Sequence, residues 1–283
     1  MKIAIASGKG GTGKTTIATN LAASISRTGL RVQYLDCDAE EPNGHIFLKP
    51  VIESREDVTV GVPEVDEQKC TGCGKCGRLC QYSAITCIKE KVLVFEELCH
   101  SCGGCMAICP EGAIKEIQRR IGIAEFGKSD GIAFGHGKLN IGAIQTPAII
   151  KFVKQKAPNK AITILDVPPG TSCPVIEAVK GSDFVLLVTE PTPFGLNDLK
   201  LAVGMVRELK LPFAVALNRS DIGDESVLQY CAEENIDVIL EIPNDRLIAE
   251  AYSQGFMIID ALGGYQQAFS QLYQKIKARV AVQ

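Results

Sequence analysis

The stretch Gly8–Thr16, which reads GKGGTGKTT, constrains the fold of this chain more than any other feature of its sequence. Its glycines let backbone N–H groups point inward at phosphate oxygens, and the spacing G-x-x-x-x-G-K-T is that of a phosphate-binding loop. Such a loop lies between a buried strand and a helix, whose N-terminus adds favourable partial positive charge. The apolar run 2–7 predicts the strand, and the pattern of 15–28 predicts the helix, with one buried face made of Ile17, Leu21 and Ile25.

The loop contains two lysines, Lys9 and Lys14, where the binding of phosphate requires only one. Lys14 is predicted to neutralise the outer phosphates, and the hydroxyl of Thr15 is predicted to bind Mg²⁺. Lys9 is therefore surplus, and a solvated loop lysine is the simplest alternative for it. A glycine-rich turn of chance spacing is the alternative for the loop as a whole. The predicted nucleotide-binding loop consists of Gly8, Lys9, Gly10, Gly11, Thr12, Gly13, Lys14, Thr15 and Thr16.

Further apolar runs predict buried strands that end in polar residues. They are RVQYLDCD (31–38), AITILDVPPG (161–170), DFVLLVTEPTPFG (183–195) and FAVALNRSD (213–221). Strands that alternate with helical patterns predict an α/β fold, in which a mostly parallel sheet is covered by helices on both faces. In such folds ligands bind at the carboxyl ends of the strands. Asp36, Asp38, Asp166 and Asn218 lie at these ends, although Asn218 is also explained as a simple turn residue.

With both lysines, the loop resembles the deviant phosphate loop of the MinD/ParA/Mrp superfamily of P-loop ATPases, the CobQ/CobB/MinD/ParA nucleotide-binding class. In that family the early lysine reaches across a homodimer interface to the partner's nucleotide. The resemblance therefore implies ATP and Mg²⁺ as cofactors, a homodimer in the ATP state, and catalytic roles for Lys9, Lys14 and Asp38. It further implies that Thr15, Asp38 and Asp166 hold Mg²⁺, that the Gly170 N–H senses the γ-phosphate, and that the adenine pocket includes Asn218, Arg219 and Pro243.

Two segments in the middle of the chain repeat one cysteine spacing. Residues 70–85 and 99–114 both read C-x-x-C-x-x-C-x-x-x-C and both close with Ala-Ile. This is the spacing of a bacterial two-cluster ferredoxin, in which the fourth cysteine ligates the other cluster. Carried onto this chain, the resemblance assigns one 4Fe–4S cluster to Cys70, Cys73, Cys76 and Cys109, and the other to Cys80, Cys99, Cys102 and Cys105. Zinc is the competing metal, because it also takes paired C-x-x-C ligands.

These patterns predict two domains. Residues 1–60 and 120–283 are expected to form a discontinuous ATPase domain, and residues 61–119 an inserted α+β ferredoxin domain that begins near Gly61 and Pro63. Outside the repeat, Cys37, Cys87 and Cys231 are predicted to be small core residues. Cys173 is also predicted to be buried, with a metal that bridges a dimer as the alternative.

Charge and hydropathy restrict the partners. The net charge of −3 does not favour nucleic acid, and no apolar run approaches the ~18 residues of a membrane helix. The tail places Phe269, Leu272 and Ile276 on one helical face with few cations, which favours packing on the domain over stable membrane association. A cytoplasmic protein is expected, in which twelve cysteines indicate metal ligation more than disulfides.

Two functions remain in competition. The first is a dimeric ATPase for assembly or delivery of an iron–sulfur or other metal cofactor to an unknown client metalloprotein. The second is an ATP-gated electron donor that resembles the nitrogenase iron protein and has an unknown redox partner. The motifs predict ATP hydrolysis and two clusters in both cases, and the first function is the preferred interpretation.

Overall fold

The computed structural model describes residues 1–156 and 161–281 of the 283-residue chain. Within these residues the strands are β1 (Lys2–Ala6), β2 (Val32–Asp36), β3 (Val51–Val65), β4 (Ile85–Ile88), β5 (Lys91–Val94), β6 (Ile114–Ser129), β7 (Ile132–Leu139), β8 (Ile162–Asp166), β9 (Phe184–Thr189), β10 (Phe213–Asn218) and β11 (Val238–Ile242). The α-helices are α1 (Lys14–Ser26), α2 (Gly44–Leu48), α3 (Lys75–Leu79), α4 (Gly104–Ile108), α5 (Thr146–Gln155), α6 (Cys173–Val179), α7 (Pro193–Glu208), α8 (Ser226–Glu233), α9 (Arg246–Ser253), α10 (Ile258–Ala261) and α11 (Tyr265–Ala281).

One large sheet forms the body of the protein. Its nine strands lie in the order β11-β10-β9-β1-β8-β2-β7-β6-β3. The seven strands from β11 to β7 pair in parallel, whereas β6 is antiparallel to both β7 and β3. The predicted α/β fold with a mostly parallel sheet is therefore confirmed, with a mixed edge that the strand pattern did not predict.

Helices cover both faces of this sheet. Ile3 and Ile5 belong to a core cluster on one face with residues of α1 and α11, and Ala4 and Ala6 to a cluster on the other face with residues of α5, α6 and α7. This alternation is the period of two that a β-strand imposes on its side chains. The prediction that Phe269, Leu272 and Ile276 pack on the domain is confirmed, because all three are fully buried. In the residues that the structure describes, we find no helix long and apolar enough to cross a membrane.

The strands β3 and β6 form a long antiparallel ribbon, paired from Val51↔Lys128 to Val65↔Ile114. The predicted domain boundaries at 60/61 and 119/120 therefore lie inside continuous strands. Gly61 and Pro63 were expected to mark the start of the inserted domain, but the alternation of buried Val58, Val60 and Val62 continues the strand through them. Pro63 is compatible with this strand because β3 is the edge of the sheet, where a missing N–H is tolerated.

The ribbon connects the sheet to a small lobe, residues 66–113, which contains both cysteine segments. The two segments have the same backbone conformation. Helix α3 follows Gly74 (φ 70°) and ends at Cys80 (φ −72°, ψ 109°), while α4 follows Gly103 (φ 72°) and ends at Cys109 (φ −72°, ψ 113°). The sequence repeat is therefore also a structural repeat, and its two glycines take the left-handed conformation that few other residues adopt.

Candidate functional site

The phosphate loop connects β1 to α1, as the sequence predicts. Its last glycine, Gly13, has a left-handed φ of 91°, and a Cβ atom there would lie 2.5 Å from the side-chain nitrogen of Asn218. Asn218 in turn donates a hydrogen bond of 2.9 Å to the Thr12 carbonyl. Both the conformation and the packing therefore require glycine at position 13, and Asn218 ties the loop to the end of β10.

A cavity of about 430 Å³ opens beside this loop. Its size is in the usual range for a small-molecule site. The predicted site residues that line it are Gly10, Gly11, Gly13, Lys14, Thr15, Thr16, Asp38, Asn218, Arg219 and Pro243. The structure thus brings residues at or just after the ends of β1, β2, β10 and β11 together at the carboxyl edge of the parallel strands.

Sequence reasoning missed much of the far wall of this cavity. That wall includes the apolar side chains of Ile242, Ile248, Tyr252 and Ile258, together with Asn244 and Asp245. Asp245 is the N-cap of α9 and accepts a hydrogen bond of 2.8 Å from the backbone of Leu247, which fixes the start of this helix beside the cavity. The N-cap of α9 could have been found in the sequence. Its proximity to the phosphate loop could not, because the two segments lie far apart along the chain.

Other predicted residues lie outside the cavity lining. Gly8 is packed so closely against α7 that a Cβ atom would collide with the carbonyl of Asp198. Gly170 has a φ of 96° and donates its N–H to the Ser7 carbonyl at 3.0 Å. This is the N–H predicted to sense the γ-phosphate, so it must break an existing hydrogen bond before it can perform that role.

Lys9, the surplus lysine, is held by its own subunit. Its Nζ lies 3.7 Å from Glu190 Oε2, and the Arg219 guanidinium lies 2.9 Å from Glu190 Oε1. Glu190 is nearly buried at the end of β9, with 9% of its side chain exposed, while Lys9 remains 31% exposed. Glu190 was not predicted as a site residue, and it forms ion pairs with two of the predicted nucleotide-binding cations.

The predicted Mg²⁺ residues meet around a buried acidic pair. Parallel pairing places Asp36 beside Asp166, and the Tyr34 hydroxyl donates a hydrogen bond of 2.7 Å to Asp166. Burial raises the pKa of Asp166 to about 6, although the neighbouring Thr15 and the hydrogen bond from Tyr34 oppose this change. Burial and the Asp166 carboxyl also raise the pKa of Asp36 well above its ordinary value. Tyr34, a polar aromatic residue inside an apolar strand, is a positioning residue that the sequence analysis missed.

Asp38 and Lys14 complete this charged region. Burial raises the pKa of Asp38, and its carboxylate accepts a hydrogen bond of 3.4 Å from the backbone of Glu41. Burial lowers the pKa of Lys14, while the charges of Asp166 and Asp38 act in the opposite direction. Across residues 1–156 and 161–281 we find no group of three or more His, Cys, Asp or Glu side chains arranged to hold a metal ion. A Mg²⁺ site of one or two carboxylates completed by phosphate and water has fewer protein ligands than that.

The eight cysteines of the repeat surround two further cavities in the small lobe. The smaller, of about 20 Å³, is lined by Cys70, Cys73, Cys76 and Cys109. The larger, of about 240 Å³, is lined by Cys80, Cys99, Cys102 and Cys105. In each cavity three cysteines come from one segment of the repeat and the fourth comes from the other segment.

Backbone N–H groups point at several of these sulfur atoms. Ser101 donates to Cys99 Sγ at 3.4 Å, and Ala113 donates to Cys109 Sγ at 3.3 Å. Burial opposes ionisation of the Cys80 thiol, but backbone N–H groups of residues 82–85 outweigh it and lower the pKa of this thiol below its ordinary value. Such donors stabilise a thiolate and are a common feature around iron–sulfur ligands.

The remaining cysteines differ from one another. Cys37 and Cys231 are buried, as predicted, whereas Cys87 is only partly buried and its thiol donates to the Gly72 carbonyl at 3.3 Å. The prediction that Cys173 is buried is wrong, because its side chain is exposed. Cys173 begins α6, and the face of this helix that packs on the sheet starts only at Val175.

Three comparisons place the chain among known proteins. The CobQ/CobB/MinD/ParA nucleotide binding domain matches residues 3–257. An uncharacterized protein of Methanocaldococcus jannaschii is 32% identical over 263 residues, which cover 90% of each chain. An iron-sulfur cluster carrier protein of Pyrococcus abyssi is 25% identical over 299 residues, covering 98% of this chain and 86% of that protein. The septum site-determining protein MinD of Pyrococcus horikoshii, complexed with Mg-ADP, has a similar fold, with a TM-score of 0.60, 20% identity and coverage of 97% and 95%.

The raised pKa of Asp166 predicts a dependence of nucleotide binding on pH. Below about pH 6 the carboxyl is mostly protonated and cannot attract Mg²⁺, so we expect Mg²⁺-dependent ATP affinity to fall roughly fourfold between about pH 7.5 and 5.5. Asp166→Asn should bind weakly at both pH values. The measurement is isothermal titration calorimetry of both proteins. Protonation of ATP affects wild type and Asp166→Asn equally. If the affinity of both proteins depended on pH to the same extent, the prediction would be contradicted.

Proposed function

This chain belongs to the CobQ/CobB/MinD/ParA nucleotide-binding family, and from this premise we propose that it is a dimeric, Mg²⁺-dependent ATPase that carries two 4Fe–4S clusters. Its proposed role is assembly or delivery of an iron–sulfur or other metal cofactor to a client protein. The observation that carries the proposal is that one chain combines a phosphate-loop cavity with two four-cysteine cavities. Residues 1–60 and 120–283 are the proposed ATPase domain, with the ferredoxin domain at 61–119, and residues 157–160 and 282–283 of the former lie outside the described part of the chain.

The ATPase part of the proposal rests on how the chain can position a phosphate chain. Phosphoryl transfer requires positioning and charge neutralisation more than covalent chemistry by the protein. Lys14 supplies positive charge at the α1 N-terminus, the buried Asp166 lies near it with one carboxylate oxygen, Oδ1, free of hydrogen bonds among the described residues, and Asp38 lines the nucleotide cavity. Asp38 is proposed to orient the attacking water, and the wall from Ile242 to Tyr252 is proposed to contain the adenine base.

The dimeric part of the proposal rests on Lys9. Lys9 does not line the cavity of its own subunit and is held at the surface by Glu190. If it completes the partner's site, as the family resemblance implies, it must first leave Glu190. Arg219 then remains beside this carboxylate, so that its charge is not left unpaired when Lys9 departs.

We therefore expect Lys9→Ala to bind nucleotide through Lys14 but to lose the ATP-dependent dimer and at least ~10-fold of the ATPase rate, by analogy with trans-acting cations. Lys14→Ala should lose nucleotide binding itself. Lys277→Ala, which removes an exposed lysine of α11, is the control. Analytical ultracentrifugation with ADP and with a non-hydrolysable ATP analogue measures the dimer. A normal ATP-dependent dimer in Lys9→Ala would contradict the proposed role of this lysine.

The cysteines of the small lobe have the number and crossed origin that two iron–sulfur clusters require, although in the described residues their thiols are not drawn together as metal ligands. Each cavity is lined by four thiols, and the left-handed glycines Gly74 and Gly103 bring backbone close to them without a side chain in the way. When bound, such clusters supply one-electron redox chemistry or transferable iron and sulfide. The chain itself supplies thiolates and the N–H donors that stabilise their negative charge. The crossed origin of the fourth cysteine is typical of ferredoxin ligation and favours iron–sulfur clusters over two zinc ions.

The crossed ligation makes a specific prediction about iron content. Wild type should bind about eight iron atoms and show broad absorption near ~400 nm, which zinc cannot give because its d shell is full. Cys109→Ser should damage the cluster of Cys70, Cys73 and Cys76, and Cys80→Ser the cluster of the other segment. Cys231→Ser, which changes a cysteine outside the lobe, is the control. Iron analysis and electron paramagnetic resonance of the reduced proteins measure the loss. If Cys109→Ser damaged the cluster of its own segment instead, the crossed assignment would fail.

Assembly or delivery is preferred because iron-sulfur cluster carrier proteins resemble this chain over 98% of its length. The alternative, an ATP-gated electron donor, is favoured by the ferredoxin spacing of the cysteines. Delivery predicts that Mg-ATP increases the transfer of iron from the loaded protein to an apo-ferredoxin, measured after the two proteins are separated. An electron donor predicts instead that Mg-ATP accelerates transfer of electrons from previously reduced clusters to an acceptor such as methyl viologen, which oxidises the clusters with no loss of iron. If Mg-ATP changed neither quantity, both functions would be contradicted.

A further inference from the structure

One loop of the sheet domain contacts both proposed centres. The segment from the end of β7 to the start of α5, residues 139–146, lies between the nucleotide cavity and the small lobe. Its first residue, Leu139, donates its backbone N–H to the Ala39 carbonyl at 2.9 Å, and its last, Thr146, donates its hydroxyl to Glu40 at 3.1 Å. Between them, the Gln145 side chain donates to the Cys99 carbonyl at 2.8 Å.

The hydrogen bond from Gln145 to Cys99 is buried. Gln145 and Cys99 are each 8% exposed and Thr146 only 3%, so water does not replace these contacts easily. The other end of the Gln145 amide, Oε1, accepts a hydrogen bond of 3.2 Å from the backbone of Ile144. Both ends of the amide are therefore occupied, and the orientation of the side chain is fixed. A buried amide without partners is costly, so the loop and the Cys99 backbone tend to move together.

On the nucleotide side, the loop contacts the residues that directly follow Asp38. Asp38 lines the nucleotide cavity, and the backbone of Glu41 donates to its carboxylate. A segment whose aspartate changes partners when Mg²⁺ and the terminal phosphate arrive is expected to shift. Ala39 and Glu40 transfer any such shift to Leu139 and Thr146 through their two hydrogen bonds.

On the lobe side, the contact reaches only one of the two four-cysteine cavities. Cys99 belongs to the larger cavity, and its side chain also packs in the same apolar core as Val62 and Ile121 of the sheet. Among the described residues, the hydrogen bonds that reach the cysteines of the smaller cavity come from within the lobe itself, as from Arg78 to the Cys73 carbonyl and from Ala113 to Cys109. The two cavities therefore differ in their connection to the nucleotide site.

We propose that Gln145 is a positioning residue that couples nucleotide state to the cluster of Cys80, Cys99, Cys102 and Cys105, and leaves the cluster of Cys70, Cys73, Cys76 and Cys109 uncoupled. The proposal rests on the proposed function, because it requires both clusters. Coupling between two sites is reciprocal. If bound nucleotide changes the reduction equilibrium of the cluster that contains Cys99 by some factor, reduction of this cluster must change nucleotide affinity by the same factor.

The test uses the loaded full-length protein and three variants. Gln145→Met keeps the volume of the side chain and removes its hydrogen bonds, and Gln145→Glu replaces the donor with a carboxylate that repels the Cys99 carbonyl. Gln118→Ala, which changes an exposed glutamine of β6, is the control. Redox titration followed by electron paramagnetic resonance gives the potential of each cluster without nucleotide and with a non-hydrolysable ATP analogue and Mg²⁺. Cys80→Ser and Cys109→Ser assign the two signals.

In wild type we expect the analogue to shift the reduction potential of the cluster that contains Cys99 by about 30 mV. The potential of the cluster that contains Cys109 should shift by less than a third of that. The shift of about 30 mV corresponds to about a threefold change in nucleotide affinity on reduction, since ~59 mV is tenfold for one electron. Gln145→Met and Gln145→Glu should keep both clusters and lose the shift. Hydrogen exchange of residues 99–104 should respond to the analogue in wild type and not in these variants. A structural role alone would lower the melting temperature of Gln145→Met and leave the shift intact.

Three results would overturn the proposal. They are equal shifts of both clusters in wild type, no shift of either cluster, and a shift that survives in Gln145→Met. Failure of the proposed function gives a different result, because a protein without two clusters fails the iron analysis and shows no iron–sulfur signals to titrate. If Gln145→Met did not fold, Gln145→Glu together with hydrogen exchange of the wild type would still decide the question.

Discussion

The parallel pairing of β1 with β8 on one side and β9 on the other is the constraint on which the rest of the structure depends. It places the phosphate loop, Asp166 and Glu190 at one edge, although Gly8 precedes Asp166 by 158 residues and Glu190 by 182. The pairing of β2 with β8 then puts Asp36 beside Asp166, in a region dry enough to raise the pKa of both. The positions of the charged residues in the site are thus determined by the backbone pairing of the strands.

Sequence patterns predicted those elements whose structure depends on neighbouring residues. The phosphate loop, the helix after it and the buried strands could be located because glycine spacing and apolar periodicity are properties of neighbouring residues. The contacts of Tyr34 with Asp166 and of Glu190 with Lys9 could not be predicted, because they join residues that only the fold brings together. The β3–β6 ribbon was missed for another reason. Gly61 and Pro63 are turn formers by propensity, but at the edge of a sheet the alternating valines outweigh that tendency.

The small lobe shows how a repeat produces two sites that are not equivalent. Its two segments share backbone angles to within 10° at the residues that flank α3 and α4. Their surroundings differ, because Cys99 of the larger cavity packs in the main core of the sheet, while Cys76 of the smaller packs in a separate cluster with Ile114, at the end of the ribbon. The proposed clusters would therefore differ in their properties although their ligand sets are nearly identical, since burial and hydrogen bonding both tune such centres.

The order of the strands along the chain has a consequence for how the protein is made. During synthesis the lobe at residues 66–113 emerges before β8, so β1 lacks its neighbour until a partner more than 150 residues later is available. Contacts of such high sequence separation form slowly, whereas α3, α4 and the β4–β5 hairpin depend on residues close in sequence. The cysteine lobe can therefore become ordered on the nascent chain while the nucleotide site, which also needs Asn218 and Pro243, is still incomplete.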